Sequence, residues 1–221
     1  MIKLSVNGRP VEVEGARYEN GTALITPGPW GAHSWHAMSF SPQTGLAYIP
    51  AIHLASNYSD LGFDIDGFQM QPFVGGFGVN PLPADPPREY PASLIAWDPI
   101  KQQAAWEIPQ KAVPNGGTLT TAGGLLFQGR ADGRFIAYDA KTGKELWNFD
   151  MGLGMTAAPI TYELNGRQYV SMLVGWGGGA AGLGALFSTD KFSGSNLGWD
   201  YGKHMRRLVT FSLDGTAEMP A

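Results

Sequence analysis

The sequence predicts an all-β fold built from propeller blades, with little helix. The 221 residues include 31 glycines and 16 prolines, which supply frequent turns and leave no long amphipathic helical pattern. Hydrophobic residues make up 43% of the chain, enough for a substantial core. An alanine-to-tryptophan motif occupies 96–106 and returns 41 residues later at 137–147. A period in the forties with a tryptophan at a fixed place indicates radially repeated four-stranded blades.

The repeated motif has a physical explanation in its stronger copy. Ala137 leaves room for a large ring from a neighbouring blade, and Thr142-Gly143 forms a hairpin bend. Trp147 covers a wide aromatic surface between blades, and burial of such a side chain stabilises a fold by about 1.5–3 kcal/mol. The aspartates of the two copies, Asp98 and Asp139, are predicted to bond nearby backbone in the turns. The motif therefore predicts structural contacts rather than chemistry.

The first blade is assigned to residues 30–111. Before it, 3–13 predicts a short hairpin that turns at Asn7-Gly8, a pair suited to positive φ. An insertion at 53–90, rich in glycine, proline and aspartate, interrupts the blade. It is too long for an ordinary connection, and such segments are typically lids or binding loops. The strands predicted for this blade are 35–41, 46–51 and 93–106.

Two further blades follow. The second, at 112–152, has four predicted strands separated by tight turns that contain glycine: 118–122, 125–129, 134–139 and 145–149. The third, at 153–216, is interrupted by a glycine-rich insertion at 175–205. Its predicted strands are 158–163, 168–174 and one within 207–215. The whole chain is thus expected to be a single partial propeller domain of about three four-stranded antiparallel blades.

Composition excludes several classes of function. The net charge is −4, with a pI near 5.5 and no basic stripe, so nucleic acid is not an expected partner. No apolar run reaches the roughly 18–20 residues that span a bilayer, and the first residues do not resemble a signal peptide. The absence of cysteine excludes a disulfide, a thiolate metal site, a cysteine nucleophile and a covalent haem attachment within these residues.

Some local patterns suggest other sites but are incomplete. Residues 177–182 satisfy G-x-G-x-x-G after a predicted strand, yet the helix that a dinucleotide site requires does not follow. His33 and His36 are three residues apart, so on a strand they would point to opposite faces. Asp60, Asp64 and Asp66 begin a calcium-loop pattern that lacks its closing glutamate. No metal site is predicted in this chain.

Several segments resemble one enzyme family. Residues 117–129, 159–170 and 31–51 closely resemble the C-terminal blades of pyrroloquinoline quinone (PQQ)-dependent alcohol dehydrogenases, and the resemblance runs from about Gly8 to Pro220. That family is built on an eight-bladed propeller, so the resemblance implies that this chain covers roughly the last three blades. The activity implied is oxidation of an alcohol to an aldehyde by hydride transfer to the quinone.

The resemblance also implies where the family's functional groups lie. The catalytic aspartate, the calcium ligands, the disulfide over the cofactor and the tryptophan beneath it belong to earlier blades. No catalytic residue is therefore expected in this chain, and calcium is expected to be held by residues outside it. No haem is expected here, whereas a cytochrome is a candidate electron acceptor. The family resemblance implies a periplasmic location.

Two segments of this chain correspond to segments that face the cofactor in the family it resembles. The family's Asn-Trp-x-Pro segment corresponds here to Ser34, Trp35, His36 and Ala37, of which the first and last differ from the pattern. The serine keeps a hydroxyl but lacks the amide. The second segment is Gly175, Trp176 and Gly177, where the lack of Cβ atoms would let the backbone adopt positive φ and approach a flat cofactor. These residues are the predicted cofactor-binding set: Ser34, Trp35, Gly175, Trp176 and Gly177.

Three functional hypotheses follow. The leading one is the C-terminal portion of a PQQ-dependent dehydrogenase, inactive as an isolated chain. The second is a non-catalytic propeller scaffold or binding module of an envelope complex. The third is a product that completes its ring with another chain, because three blades leave two open lateral faces. His53, at the start of the long insertion, is a candidate for shaping substrate access.

Overall fold

The computed structural model describes residues 5–15, 17, 21–58, 66, 80–83, 88–177, 199 and 203–218. These residues form fourteen β-strands and no helix, which confirms the all-β fold class. The strands are β1 Ala23–Ile25, β2 Ser39–Ser41, β3 Leu46–Ile52, β4 Leu54–Tyr58, β5 Asn80–Pro83, β6 Ala92–Asp98, β7 Gln103–Gln110, β8 Thr118–Thr120, β9 Leu125–Gly129, β10 Arg134–Asp139, β11 Glu145–Asp150, β12 Ile160–Leu164, β13 Arg167–Val174 and β14 Arg207–Ser212.

The strands form four antiparallel sheets. Sheet A has the order β2-β3-β6-β7, and sheet B has the order β8-β9-β10-β11. Sheet C contains three described strands in the order β12-β13-β14, close to the three strand positions predicted for the third blade, whereas a four-stranded blade was the general expectation. The fourth sheet, β1-β4-β5, contains the start of the 53–90 insertion together with β5. Two described parts of that insertion therefore form strands, because β4 and β5 pair with each other and β4 also pairs with β1.

Sheets A and B pack through an apolar cluster. It consists of Leu46, Tyr48, Leu94, Ala96, Leu126, Ile136, Tyr138 and Ala140, with Trp106 and Ile108 against it. Alternation along the strands places these residues on facing sides of the two sheets. The carbonyl of Ala140 accepts a hydrogen bond from the Tyr48 hydroxyl at 2.8 Å and one from the Trp106 indole N–H at 3.3 Å. Trp106 is therefore an inter-blade contact, as the motif predicts.

The turn of the repeat motif is built as predicted. Asp139 Oδ1 accepts hydrogen bonds from the Thr142 backbone N–H and hydroxyl, both at 2.8 Å. In the weaker copy, Asp98 Oδ1 accepts from two backbone N–H groups at 3.0 Å. The two aspartates thus bond the backbone of their own turns, which confirms the structural role predicted for them.

Substitution of Gly143 by alanine should destabilise the packing of sheet A on sheet B. Gly143 has φ of +73°, and a Cβ there would lie 2.9 Å from Cδ2 of Trp106. We expect a loss of about 1–3 kcal/mol in the free energy of unfolding, measured by urea denaturation. Gly166 has φ of +77° but open space around its Cβ position. Gly166→Ala controls for backbone strain, and an equal loss in both variants would contradict the packing role.

Sheets B and C pack through a second cluster. Its buried members are Ala112, Phe127, Ala131, Phe135, Ala137, Met151, Leu153, Met155, Val170, Met172, Val174 and Trp176. Trp147 meets Phe211 of β14 edge to face, with ring centroids 5.3 Å apart. The tryptophan of the stronger motif copy thus lies between two blades. Ala137, predicted to leave room for a neighbouring ring, is 4% exposed within this cluster.

Strand direction separates the two ends of the sheets. We call one end of the sheets the site end. The strands that begin there are β2, β6, β8, β10, β12 and β14, and those that finish there are β3, β7, β9, β11 and β13. The repeat-motif turn at 140–144 lies at the opposite end, between β10 and β11. Both insertions, at 53–90 and 175–205, leave and rejoin their sheets at the site end. Both insertions therefore join the sheets at the end where both candidate cofactor segments lie.

Candidate functional site

The first candidate segment, residues 33–37, is irregular backbone at the site end. The sequence predicts a strand from Trp35, whereas β2 begins only at Ser39. The rings of Trp35 and His36 stack, with centroids 4.2 Å apart and planes inclined by 24°. Successive side chains of a strand point to opposite faces, so two neighbouring rings cannot stack on extended backbone. This stack explains why the strand starts later than predicted.

Hydrogen bonds hold this segment at both ends. The Nδ1 atom of His33 lies 2.8 Å from the carbonyl oxygen of Pro50, and the carbonyl of Ala37 accepts from the Thr118 N–H at 2.8 Å. Gly117 lets the two chains approach, because a Cβ there would lie 2.7 Å from the nitrogen of Ala37. The segment thus bridges sheets A and B. It presents Trp35 outward, with 56% of that residue exposed.

His36 lies beneath Trp35 and is only 4% exposed. Burial disfavours the charged imidazolium and, with a smaller contribution from His33, lowers the pKa of His36 to about 4. The ring is therefore neutral at pH 7. Its Nε2 atom is buried and has no hydrogen-bond partner. Ser34, the other predicted residue of this segment, is half-buried beside the tryptophan.

The second candidate segment differs from the prediction in two respects. Trp176 is only 5% exposed and packs in the core between sheets B and C. Gly175 and Gly177 have no left-handed φ, and the space beside them is occupied by Arg206. A Cβ on Gly175 would lie 3.1 Å from Cγ of Arg206, and one on Gly177 would lie 3.4 Å from a terminal guanidinium nitrogen. An arginine side chain, rather than open space, therefore lies along this bare backbone.

Gly154 places the Trp176 ring. A Cβ on Gly154 would lie 2.6 Å from both Cε3 of Trp176 and the carbonyl oxygen of Ala131. We expect Gly154→Ala to displace the indole and to cost about 1–3 kcal/mol of unfolding free energy. Near-ultraviolet circular dichroism would report the displaced ring, and urea denaturation the stability.

Gly175→Ala is the matched control, because its Cβ would meet only the flexible arginine side chain. A smaller loss is expected there. Equal losses in both variants would show that glycine at 154 is not needed for the position of Trp176.

The two candidate segments lie at the same end of the sheets but at different sheet boundaries. Trp35 belongs to the edge where sheet A meets sheet B, whereas Trp176 belongs to the interface between sheets B and C. The structure thus places an exposed indole and a buried one along the same end. Of the two predicted segments, only the first offers an accessible aromatic face.

A buried polar layer at the site end was not predicted from the sequence. Gln110 Nε2 donates to Gln128 Oε1 at 2.7 Å, and Gln128 Nε2 donates to the carbonyl of Gly116 at 3.0 Å. Asn115 Oδ1 accepts from the N–H of Ala131 at 3.0 Å. Both glutamines are fully buried. The sequence carries one signal of this layer: β7 and β9 each have a glutamine on a strand face that is otherwise apolar, near the site end.

Two atoms near this layer have no partner. Oε1 of Gln110 and Nε of Arg130 are buried without a hydrogen bond. Arg130 is nevertheless ion-paired, since a terminal nitrogen lies 3.2 Å from Oδ2 of Asp132. The site end of sheet B therefore holds a buried guanidinium with one donor unused.

His53 belongs to a polar cluster on the outer face of sheet A. Its Nε2 lies 2.7 Å from Oγ of Ser93 and 3.4 Å from Oε1 of Glu107. Arg88 donates to the same Glu107 oxygen at 3.0 Å. Burial and Arg88 lower the pKa of His53, and Glu107 opposes that shift. A hydrolytic triad needs serine and carboxylate on opposite ring nitrogens, so this arrangement is not such a triad. The role predicted for His53 in shaping substrate access stays a prediction.

The other local patterns provide no site in the part of the chain that the structure describes. Among those residues no three histidine or acidic side chains converge on a metal position. Asp60 and Asp64, and most of the 177–182 glycine pattern, lie outside the described residues. No described helix is long and apolar enough to cross a membrane.

Comparison with known proteins identifies similar chains. The profile described as "PQQ: Glucose/ethanol/alcohol dehydrogenase, beta-propeller domain" matches residues 95–170. The quinohemoprotein alcohol dehydrogenase ADH IIB of Pseudomonas putida is 44% identical over 96% of this chain and 29% of its own length. The 1-butanol dehydrogenase (cytochrome c) of Thauera butanivorans is 41% identical over 97% of this chain and 30% of its own length.

A solved structure agrees with this similarity. The crystal structure of the quinohemoprotein alcohol dehydrogenase from Comamonas testosteroni superimposes with a TM-score of 0.76 and 38% identity. It covers 99% of this chain, which spans 31% of that structure. The chain therefore spans about a third of the length of the proteins it matches, and the match extends over nearly all of its own sequence.

Proposed function

We propose that this chain, which is homologous over nearly its whole length to a segment of the PQQ-dependent alcohol dehydrogenases, forms one wall of a quinone site in an alcohol-oxidising enzyme. One observation carries the proposal. An exposed indole, Trp35, is fixed on a segment that hydrogen bonds hold at both ends, and it lies at the end of the sheets where both insertions emerge. Exposed aromatic rings that are held rigidly are suited to flat ligands.

The described residues fit a flat, anionic quinone. The Trp35 face would stack against the ring system, and the Ser34 hydroxyl beside it can donate or accept a hydrogen bond. When bound, PQQ would accept the hydride that leaves the alcohol carbon. The calcium ion that polarises it is proposed to be held by residues outside this chain.

The chain's own residues would orient the quinone and exclude water on one side. The histidine next to Trp35 is buried and has a lowered pKa, so it does not serve as a base that is open to substrate. The base is therefore proposed to be an aspartate of other blades. On its own the chain should bind a quinone weakly and should not oxidise alcohols.

Further features of the proposal rest on the relatives. The Thauera butanivorans relative is named for cytochrome c, which supports a cytochrome as the electron acceptor of the complete protein. A periplasmic location and alcohol substrates are proposed on the same family basis. The tryptophan repeat would dock the blades to one another. Its turns lie at the end of the sheets opposite Trp35, away from the proposed site.

Fluorescence titration with PQQ tests whether Trp35 contacts the quinone. We expect saturable quenching in the wild-type chain and reduced quenching in Trp35→Phe. Trp147→Phe is the matched control, because Trp147 is also partly exposed, at 40%, but lies between sheets B and C. Equal quenching of wild type and Trp35→Phe would contradict the role of Trp35, and the absence of saturable quenching would favour a non-catalytic scaffold.

A second measurement tests whether the catalytic base lies outside this chain. The purified chain, supplied with PQQ, calcium and a primary alcohol, should reduce no dye. Alcohol-dependent dye reduction would show that the chain holds its own base. That result would contradict only the proposal that the base lies in other blades.

A further inference from the structure

The stacked pair of Trp35 and His36 is an arrangement that the local backbone must be shaped to produce. The two residues are adjacent, yet their ring centroids lie only 4.2 Å apart. The outer ring is 56% exposed and the inner one 4% exposed. Each ring thus has a distinct position: the indole faces outward, and the imidazole fills the space behind it. The indole cannot tilt inward while the imidazole occupies that space.

The anchors on either side prevent the pair from moving as a unit. His33 is held to Pro50 of β3, and Ala37 is held to Thr118 of β8. The freedom that remains to Trp35 is rotation of its own side chain. The flat face of His36 is positioned to limit that rotation, because offset stacking of aromatic rings is favourable.

Hydrogen bonding does not explain a histidine at this position. Nε2 of His36 is buried without a partner, and an unpaired buried polar atom lowers stability. The ring is also uncharged at neutral pH, because its burial keeps the pKa near 4. Among the described residues, His33 is the only titratable group whose charge contributes to that pKa. What remains for His36 to contribute is the flat, neutral face beneath the indole.

We propose that His36 is a positioning residue, which holds the indole of Trp35 in the plane that it presents to a flat quinonoid ligand. The ligand part of this inference rests on the proposed function. The stacking part does not, because it concerns two residues of this chain in its free state. Neither Trp35 nor His36 would need to take part in proton transfer.

The test compares two replacements of His36 in the full 221-residue chain. His36→Phe keeps a flat ring, and His36→Leu fills a similar volume without one. The signal is the near-ultraviolet circular dichroism of Trp35, obtained by subtracting the spectrum of Trp35→Phe in the same background. We expect the Trp35 signal to persist in His36→Phe and to be lost in His36→Leu. Far-ultraviolet spectra establish that both variants are folded.

A pH titration tests the contact between the two rings, on which the positioning role depends. Protonation of an imidazole in contact with an indole quenches indole emission. The Trp35 emission of the wild-type chain should therefore fall as the pH drops through about 4, where His36 gains its proton. The step should be absent in His36→Phe. His204→Ala is the matched control, because His204 meets Trp199 edge-on at 5.9 Å, and it should keep the step.

The outcomes separate the two proposals. Retention of the Trp35 dichroism in His36→Leu would overturn the positioning role, as would a Trp35 emission step that survives in His36→Phe. If both behave as expected but PQQ quenches no variant, the stacking inference stands and the quinone site fails. If both proposals hold, His36→Leu should weaken PQQ binding by roughly threefold to tenfold, and His36→Phe by much less.

Discussion

The variant Phe135→Ala is expected to lose about 3–5 kcal/mol of unfolding free energy, because truncation of a fully buried phenylalanine leaves a cavity as well as lost contacts. Phe135 is 0% exposed at the centre of the interface between sheets B and C. Its ring lies 5.7 Å from those of Phe127 and Phe211 and 6.1 Å from that of Trp147. A domain stable by about 5–15 kcal/mol would lose a large share of that stability.

Urea denaturation monitored by far-ultraviolet circular dichroism measures this loss. Leu146→Ala is the control, because Leu146 lies on the adjacent strand β11 but is 51% exposed. We expect its effect to stay within about 0.5 kcal/mol, as for most surface substitutions. Similar losses in both variants would mean that the aromatic cluster does not hold the two sheets together.

The isolated chain is expected to self-associate through the outer face of sheet C. On this face alternate residues of neighbouring strands are apolar and exposed by between 42% and 67%: Ile160, Tyr162, Leu164, Leu173 and Leu208. Their strand pairing places them on one side of the sheet, opposite the side packed on sheet B. Contiguous apolar patches of this kind mark interaction surfaces.

Lysine at Ile160 and Leu173 should weaken this association. Each removes an apolar side chain whose burial contributes about 1.5–3 kcal/mol, so the dissociation constant should rise by roughly tenfold or more. Sedimentation equilibrium over a range of concentrations measures it. Leu213→Lys, at a position 83% exposed beyond β14, is the control and should leave it unchanged. A wild-type chain that stays monomeric at every concentration would contradict the prediction and count against completion of the ring in trans.

Much of the fold could be predicted because its determinants are local. The turn at 140–144 follows from Asp139, Thr142 and Gly143, whose bonds connect residues close in sequence. The burial of Trp106 follows from its repeat position. Sheet C is less predictable, since β14 reaches β13 only after the long 175–205 insertion. Within the described residues it has the three strands that the sequence places there and not the fourth of a four-stranded blade.

The candidate site was less predictable, because its contacts join distant residues. The burial of Trp176 depends on Gly154 and Ala131, which approach it from another loop. The arginine beside Gly175 comes from beyond the insertion. Neither contact has a periodic pattern that a single sequence displays. Trp35 stacks on His36, and this local geometry interrupts a run that otherwise alternates like a strand.

The two buried glutamines form a hydrogen bond across the boundary of sheets A and B. Apolar packing alone is non-directional and would let one sheet slide or pivot on the next at small cost. The bond from Gln110 to Gln128 crosses between the two sheets and is directional, so it favours one alignment, and Gln128 also donates to Gly116 within its own blade. Gly116 and Gly117 lead directly to Thr118, the anchor of the Trp35 segment. The bond that joins sheet A to sheet B is therefore followed, within a few residues, by the bond that anchors the Trp35 segment.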